Sequence, residues 1–163
     1  PIHVQLELTP LCHVPRQKSS FLARKWTHQL QQLFDANAIL SHEDLCIENS
    51  DARFRIDLSV AVLDADGAVF DASLLSCVEV LKRLELPVVE IHKDGRAEIA
   101  DLDEGKALAL NSEPVALTIG CFNEMLVVDP IDEEESFMDA TMTFIVDEHG
   151  NILSMPVHMS RLL

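Results

Sequence analysis

The chain has 163 residues, 48% of them hydrophobic, and a formal charge of −16. That is apolar material for one sizeable core, so residues 1–163 are expected to form a single domain. No run is long and apolar enough to span a bilayer, and the opening PIHVQLEL has neither the charged nor the continuous apolar region of a secretory signal. So acidic a domain repels nucleic acid. This argues against an autonomous RNA binder, though not against a subunit whose neighbours supply positive surface. The four cysteines (Cys12, Cys46, Cys77, Cys121) are widely spaced. They read as reduced, mostly buried thiols, and without C-x-x-C or H-x-x-x-H spacing they hold no structural zinc.

Residues 2–8 alternate, with Ile2, Val4, Leu6 and Leu8 on one face and His3, Gln5 and Glu7 on the other, as a half-buried strand does. Pro10 and Pro15 break the pattern, and a basic loop through Arg16, Gln17 and Lys18 follows. Ser19 or Ser20 can cap a helix running to about Asn37, with Leu22, Trp26, Leu30, Leu33 and Phe34 at helical spacing. The basic residues Arg16, Lys18, Arg24 and Lys25 gather near its start, either as a solvated face or as a contact for RNA or a partner. Residues 38–48 read as a short connection ending in a strand.

Residues 54–84 are the organising stretch. A β-branched, aliphatic strand over 56–63 leads into a turn at 64–67, where Asp64 and Asp66 can bond their own backbone and Gly67 tolerates positive φ. A helix over 69–84 follows. Its polar stripe (Ser76, Glu79, Arg83) is narrow, which predicts apolar cover on more than one side. Beyond it, residues 88–92 and 96–100 form a hairpin around Lys93, Asp94 and Gly95, and residues 101–113 form an acidic, irregular connection. Strands over 115–121, 125–128, around Thr141, Thr143 and Ile145, and over 152–155 complete an antiparallel meander, with a turn at 147–151. Between them Asp129, Asp132, Glu133, Glu134, Glu135 and Asp139 could be a divalent-cation site or a solvated acidic loop.

Several of these segments together resemble the RNase PH family, which comprises phosphorolytic exoribonucleases and the ring subunits of the RNA exosome. A strand ending in D-x-D-G and followed by a helix opening x-x-D-A is one match. E-L-T-P-L-C at 7–12, E-D-L-C-I at 43–47 and V-D-P-x-x-E-E-E at 128–135 are others, in family order. In active members the first segment reads A-D-G-G-T-R, and its G-T-R triplet holds the attacking phosphate. Here Ala68, Val69 and Phe70 stand at that triplet, and a phenyl ring cannot grip an anion as a guanidinium fork does. Active members also carry two aspartates for acid catalysis and metal. The strand alignment puts Glu135 on the first and Thr141 on the second, and Thr141 is no acid of useful pKa.

The resemblance therefore implies an α/β (α+β) fold of the RNase PH-like (ribosomal protein S5 domain 2-like) kind, a mixed sheet packed with helices. It also implies that the family's N-terminal strands and C-terminal helix are lacking. The implied function is a non-catalytic ring subunit without cofactor or metal. Its partners would be other RNase PH-type ring subunits, RNA-binding cap subunits, the associated nucleases and RNA in the channel, with no membrane, in nucleus, nucleolus and cytoplasm. Arg16, Lys18, Arg53 and Arg55 are the candidate RNA contacts. The alternatives are an active phosphorolytic 3'-5' exoribonuclease and an acidic protein-interaction module.

Overall fold

The structure, a computed structural model, describes residues 2–12, 14, 16–47, 51–92 and 97–159, without the side chains of 16, 17, 97, 100 and 101–104. Strand β1 (Ile2–Leu8) buries Ile2, Val4 and Leu6 and exposes His3, Gln5 and Glu7, as its alternation requires. Helix α1 (Arg16–Asp35) lies against it and carries the chain over to β2 (Ile56–Val62), which runs parallel to β1 with Ile2 opposite Ile56. A helix is the usual bridge between parallel neighbours. The helix opens immediately after Pro15, before either serine expected as its cap, so the basic stretch at 16–18 is its first turn and not a loop. Gln31 and Thr27 of α1 occupy the free edge of β1. Gln31 Nε2 donates to the Ile2 carbonyl (2.9 Å), its Oε1 accepts from Val4 N–H (3.0 Å), and Thr27 Oγ1 accepts from Leu6 N–H (3.0 Å).

Among its described residues the connection after α1 forms no strand. Among the described residues it is a series of turns with one bridge, Cys46 to Arg53, yet Ile39, Leu40 and Leu45 are fully enclosed there. Helix α2 (Val69–Lys82) packs against β2 and against β5 (Val115–Phe122). Its buried residues Phe70, Leu74, Cys77, Val78 and Leu81 form a single stripe, while Leu75 and Val80 are 50% and 57% exposed. This corrects the expectation of cover on several sides: Ala72, Leu75 and Val80 face outward.

Strands β3 (Glu85–Ile91) and β4 (Ala97–Ala107) form a separate antiparallel pair whose register slips after Pro87, a residue that cannot donate to a ladder. The stretch expected to be irregular from 101 onward is strand as far as Ala107, and the turn expected at Lys93–Gly95 lies outside the described residues. The third sheet is antiparallel, in the order β6 (Met125–Val128), β5, β7 (Ala140–Val146), β8 (Ile152–Ser154), with β9 (Val157–Met159) also on β7. Asn123 and Glu124, both at positive φ (45° and 66°), make the two-residue turn between β5 and β6. One face of this sheet holds Thr118, Gly120 and Ile145, all buried. The strand β9, interrupted from β8 by Pro156, and the short helix α3 (Asp132–Phe137), where an acidic loop was expected, are additions to the sequence reading.

Candidate functional site

At the C-terminal end of β2 the chain turns on residues whose side chains or backbone are each fixed by a contact. Asp64 Oδ1 accepts from Ala65 N–H at 2.9 Å. Gly67, at φ 77°, leaves no room for a side chain: a Cβ would lie 2.1 Å from the Pro130 carbonyl oxygen. Ala68 caps α2 in the left-handed region (φ 44°) with no side-chain acceptor for the helix's first N–H groups. Its own N–H donates to Glu135 Oε1 at 3.2 Å, across from α3. Asp132 N–H returns the contact by donating to Asp66 Oδ1 at 3.3 Å. Turn and short helix are thus tied in both directions.

One helical turn on, the Asp71 carboxylate accepts from Thr118 N–H (2.7 Å) and Thr118 Oγ1 (2.9 Å), and Thr118 Oγ1 bonds Thr143 Oγ1 (2.9 Å). This joins the start of α2 to β5 and β7. Burial pushes the Asp71 carboxyl up, opposed by these two bonds, and the nearby Asp129 pushes it further. Phe70 is 4% exposed and belongs to the core.

Between the turn, α1, α3 and the strand ends lies a cleft of about 310 Å³. Lys18, Lys25, Phe70, Glu135, Thr141 and His158 line it among others. Burial raises the Glu135 pKa, and Asp132 adds to this, while the Ala68 N–H, Lys18 and Lys25 act in the other direction. Lys25 is lowered by burial, with Glu135 opposing. His158, opposite Thr141 in the β7–β9 register, is lowered by burial and by Lys25. For both Glu135 and Lys25 loss of water outweighs attraction. Lys18 Nζ is 3.7 Å from Asp132.

The structure brings together Glu135, Thr141, Ala68, Val69, Phe70 and Lys18. It keeps Arg53 and Arg55 apart: they precede the first residue of β2, whereas the cleft follows its last, roughly 23 Å along a seven-residue strand. Arg55 Nε is paired with Asp57 at 2.9 Å. Arg16 opens α1, and its side chain lies outside the description. Among the described residues no three His, Cys, Asp or Glu side chains converge as a metal site. All four cysteines are unpaired. Cys12 and Cys77 are buried and Cys121 is half-buried, but Cys46 is exposed.

The profile of the 3' exoribonuclease family, domain 2, matches residues 112–159, the span holding β5 to β9. Exosome complex component Rrp42 of Methanopyrus kandleri is 38% identical over 110 residues, 68% of this chain and 40% of that one. The structure superposes on the Archaeoglobus fulgidus exosome with RNA bound to the active site at a TM-score of 0.74 and 27% identity, over 99% of this chain and 61% of that one.

The chain belongs to the RNase PH family.

Within the family, exosome complex component rrp43 of Schizosaccharomyces pombe is 26% identical over 150 residues, 91% of this chain and 56% of that one. Rice Rrp46 shares the fold alone, at a TM-score of 0.61 and 12% identity. The chain spans 40% and 56% of the two curated relatives' lengths. The expected RNase PH-like α/β fold is therefore present. Among the described residues no helix is long and apolar enough to cross a membrane. Sequence reasoning missed His158, which lies on the unexpected strand β9, and the Asp71–Thr118 anchor. The x-x-D-A opening of α2 was its one signal.

Proposed function

We propose that the chain is a non-catalytic structural subunit of the hexameric RNase PH-type ring of the RNA exosome, contributing ring wall and scaffold to 3'-5' RNA processing and degradation. The observation that carries this is the bond from Ala68 N–H to Glu135 Oε1. The backbone donor at the start of α2, where an incoming anion would be held, is satisfied by the chain's own carboxylate. Phe70, at the family's arginine position, is turned into the core, and Thr141 stands where a second carboxylate would be needed. A phosphate entering here would meet Glu135 and Asp132 in place of a guanidinium.

On this reading residues 1–163 act as one RNase PH-like domain. The partners are the other ring subunits, with cap subunits and nucleases attached to the ring and RNA passing through its channel. With the fission-yeast relative as guide, the proposal extends to nucleus, nucleolus and cytoplasm. Lys18, alone of the four candidate RNA contacts, has a described side chain at the cleft. The test is phosphorolysis of single-stranded RNA by the purified chain, alone and co-purified with its ring partners. The expected result is no phosphate-dependent release of nucleoside diphosphates beyond that of the partners, and no change in it with Glu135→Ala. Release by the chain itself, abolished by Glu135→Ala, overturns the proposal.

A further inference from the structure

Two residues beside the cleft hold backbone conformations that their side chains disfavour. Ala68 is left-handed at φ 44° and Asp129 at φ 54°. A Cβ makes that region costly. Asp129 is restricted further by Pro130, since the residue before a proline is pushed toward extended backbone. Strained backbone persists only where surrounding contacts impose it, and it gathers at switch regions. The two strained positions meet across a single contact. Gly67, next to Ala68, lies against the backbone of Pro130 and Ile131, next to Asp129.

The contacts that impose the strain are polar. Ala68 N–H donates to Glu135 Oε1, Asp132 N–H donates to Asp66 Oδ1, and Lys18 Nζ lies 3.7 Å from Asp132. The segment that carries them is tied to the five-stranded sheet at both ends. Asp129 N–H donates to the Thr118 carbonyl at 2.9 Å, and Met138 is buried against Gly120. Between these ties Asp132, Glu135 and Ser136 of α3 form one wall of the cleft. Breaking the three polar contacts lets Ala68 and Asp129 leave the left-handed region and takes that wall away. The same contacts therefore hold the strain and close the cleft.

We infer that α3 is a sprung strap: latched onto the turn at 66–68 it closes one side of the cleft and strains Ala68 and Asp129, and it unlatches as one unit about Asp129 and Met138. The inference does not rest on the ring assignment. It is tested by amide hydrogen exchange, read by NMR on the full-length protein. The amides of Ala68 and Asp132 are expected to share one opening equilibrium and to exchange faster than those of the β5–β7 ladder. Ala68→Gly, which relieves strain on the turn, should slow exchange at Asp132 about fivefold. Asp129→Gly, which relieves it on the strap, should slow Ala68 and Asp132 alike. Glu135→Ala should speed exchange at Asp132 about tenfold, whereas Glu133→Gln on the same helix should leave it unchanged. Exchange at Asp132 that ignores Ala68→Gly overturns the inference, because the two strained ends would then move separately. Exchange of both amides at the rate of the ladder amides overturns it too, since α3 would then be held as firmly as the core by whatever packs on it.

Discussion

The βαβα half, from β1 to α2, and the five-stranded sheet enclose their apolar residues to different degrees. Leu30, Phe34, Ile39, Leu40, Leu45, Leu74 and Leu81 of the first half are fully buried, whereas among the described residues of the sheet's strands Ile145 is the large apolar side chain that is. The cause is layering. In the first half α1 covers β1 and α2 covers β2, so each strand has a helix on it. The sheet has α2 on one side, and its other side meets no further layer among the described elements. A sheet with two apolar faces needs two covers. The first half supplies its own core; among the described elements the sheet has one of its two covers.

The sharpest way to break that comparison is to charge its enclosed side. Leu74→Asp places an unpaired carboxylate at a fully buried position and is expected to cost more than about 3 kcal/mol, enough to abolish the cooperative unfolding transition. Leu75→Asp, one residue on and half exposed, should cost within about 1 kcal/mol. Equal losses in the two, by chemical denaturation, would mean that α2 is not one-sided.

Next in size is the link between the halves. Asp71→Ala leaves Thr118 N–H without its acceptor and is expected to cost about 1–3 kcal/mol, seen as a lower denaturation midpoint at unchanged slope. A neutral result would detach the start of α2 from the sheet.

The smallest effect is a pH dependence at the cleft. Burial, the largest cause, raises the Glu135 pKa above its ordinary 4.5, so the folded state holds that proton more tightly than the unfolded chain. Ionising Glu135 therefore lowers stability, and acidification through the raised pKa down to 4.5 restores it. Glu135→Gln keeps an oxygen for Ala68 N–H and removes the titration. The stability of the parent relative to this variant should rise as pH falls through that window and stay level above and below it. A level response there, with relative stability lost as pH falls below 4.5, would mean that the Ala68 N–H, Lys18 and Lys25 outweigh burial.

Legibility in the sequence followed how local the cause was. Strand β1 was readable because its exposure alternates with its residues. The turn at Gly67 was readable because left-handed backbone selects glycine. The helix α2 was located correctly, but its cover was not, since Leu75 and Val80 are as apolar as Leu74 and only the partner surface distinguishes them. Helix α3 looked like a loop because a run of carboxylates is poor helix interior. At a first turn the same run is favoured by the helix dipole. At the site, the family resemblance picked out Glu135 and Ala68. The bond between them joins residues 67 apart in the chain, and no periodicity carries that distance. Arg53 and Arg55 were grouped with Lys18 by charge alone, and charge does not reveal which end of a strand a residue occupies.

The glutamine on the edge of β1 has a consequence in time. Parallel pairing obliges β1 to wait until the whole crossover and β2 have been made, and such non-local pairing is slow to form. A glutamine side chain carries the same amide as a peptide bond. By donating to Ile2 and accepting from Val4, Gln31 offers β1 the hydrogen bonds of a neighbouring strand as soon as α1 exists, and Thr27 continues the imitation at Leu6. Strand β1 thus has a companion built into the helix that follows it, and keeps that companion on its far edge when its true neighbour arrives.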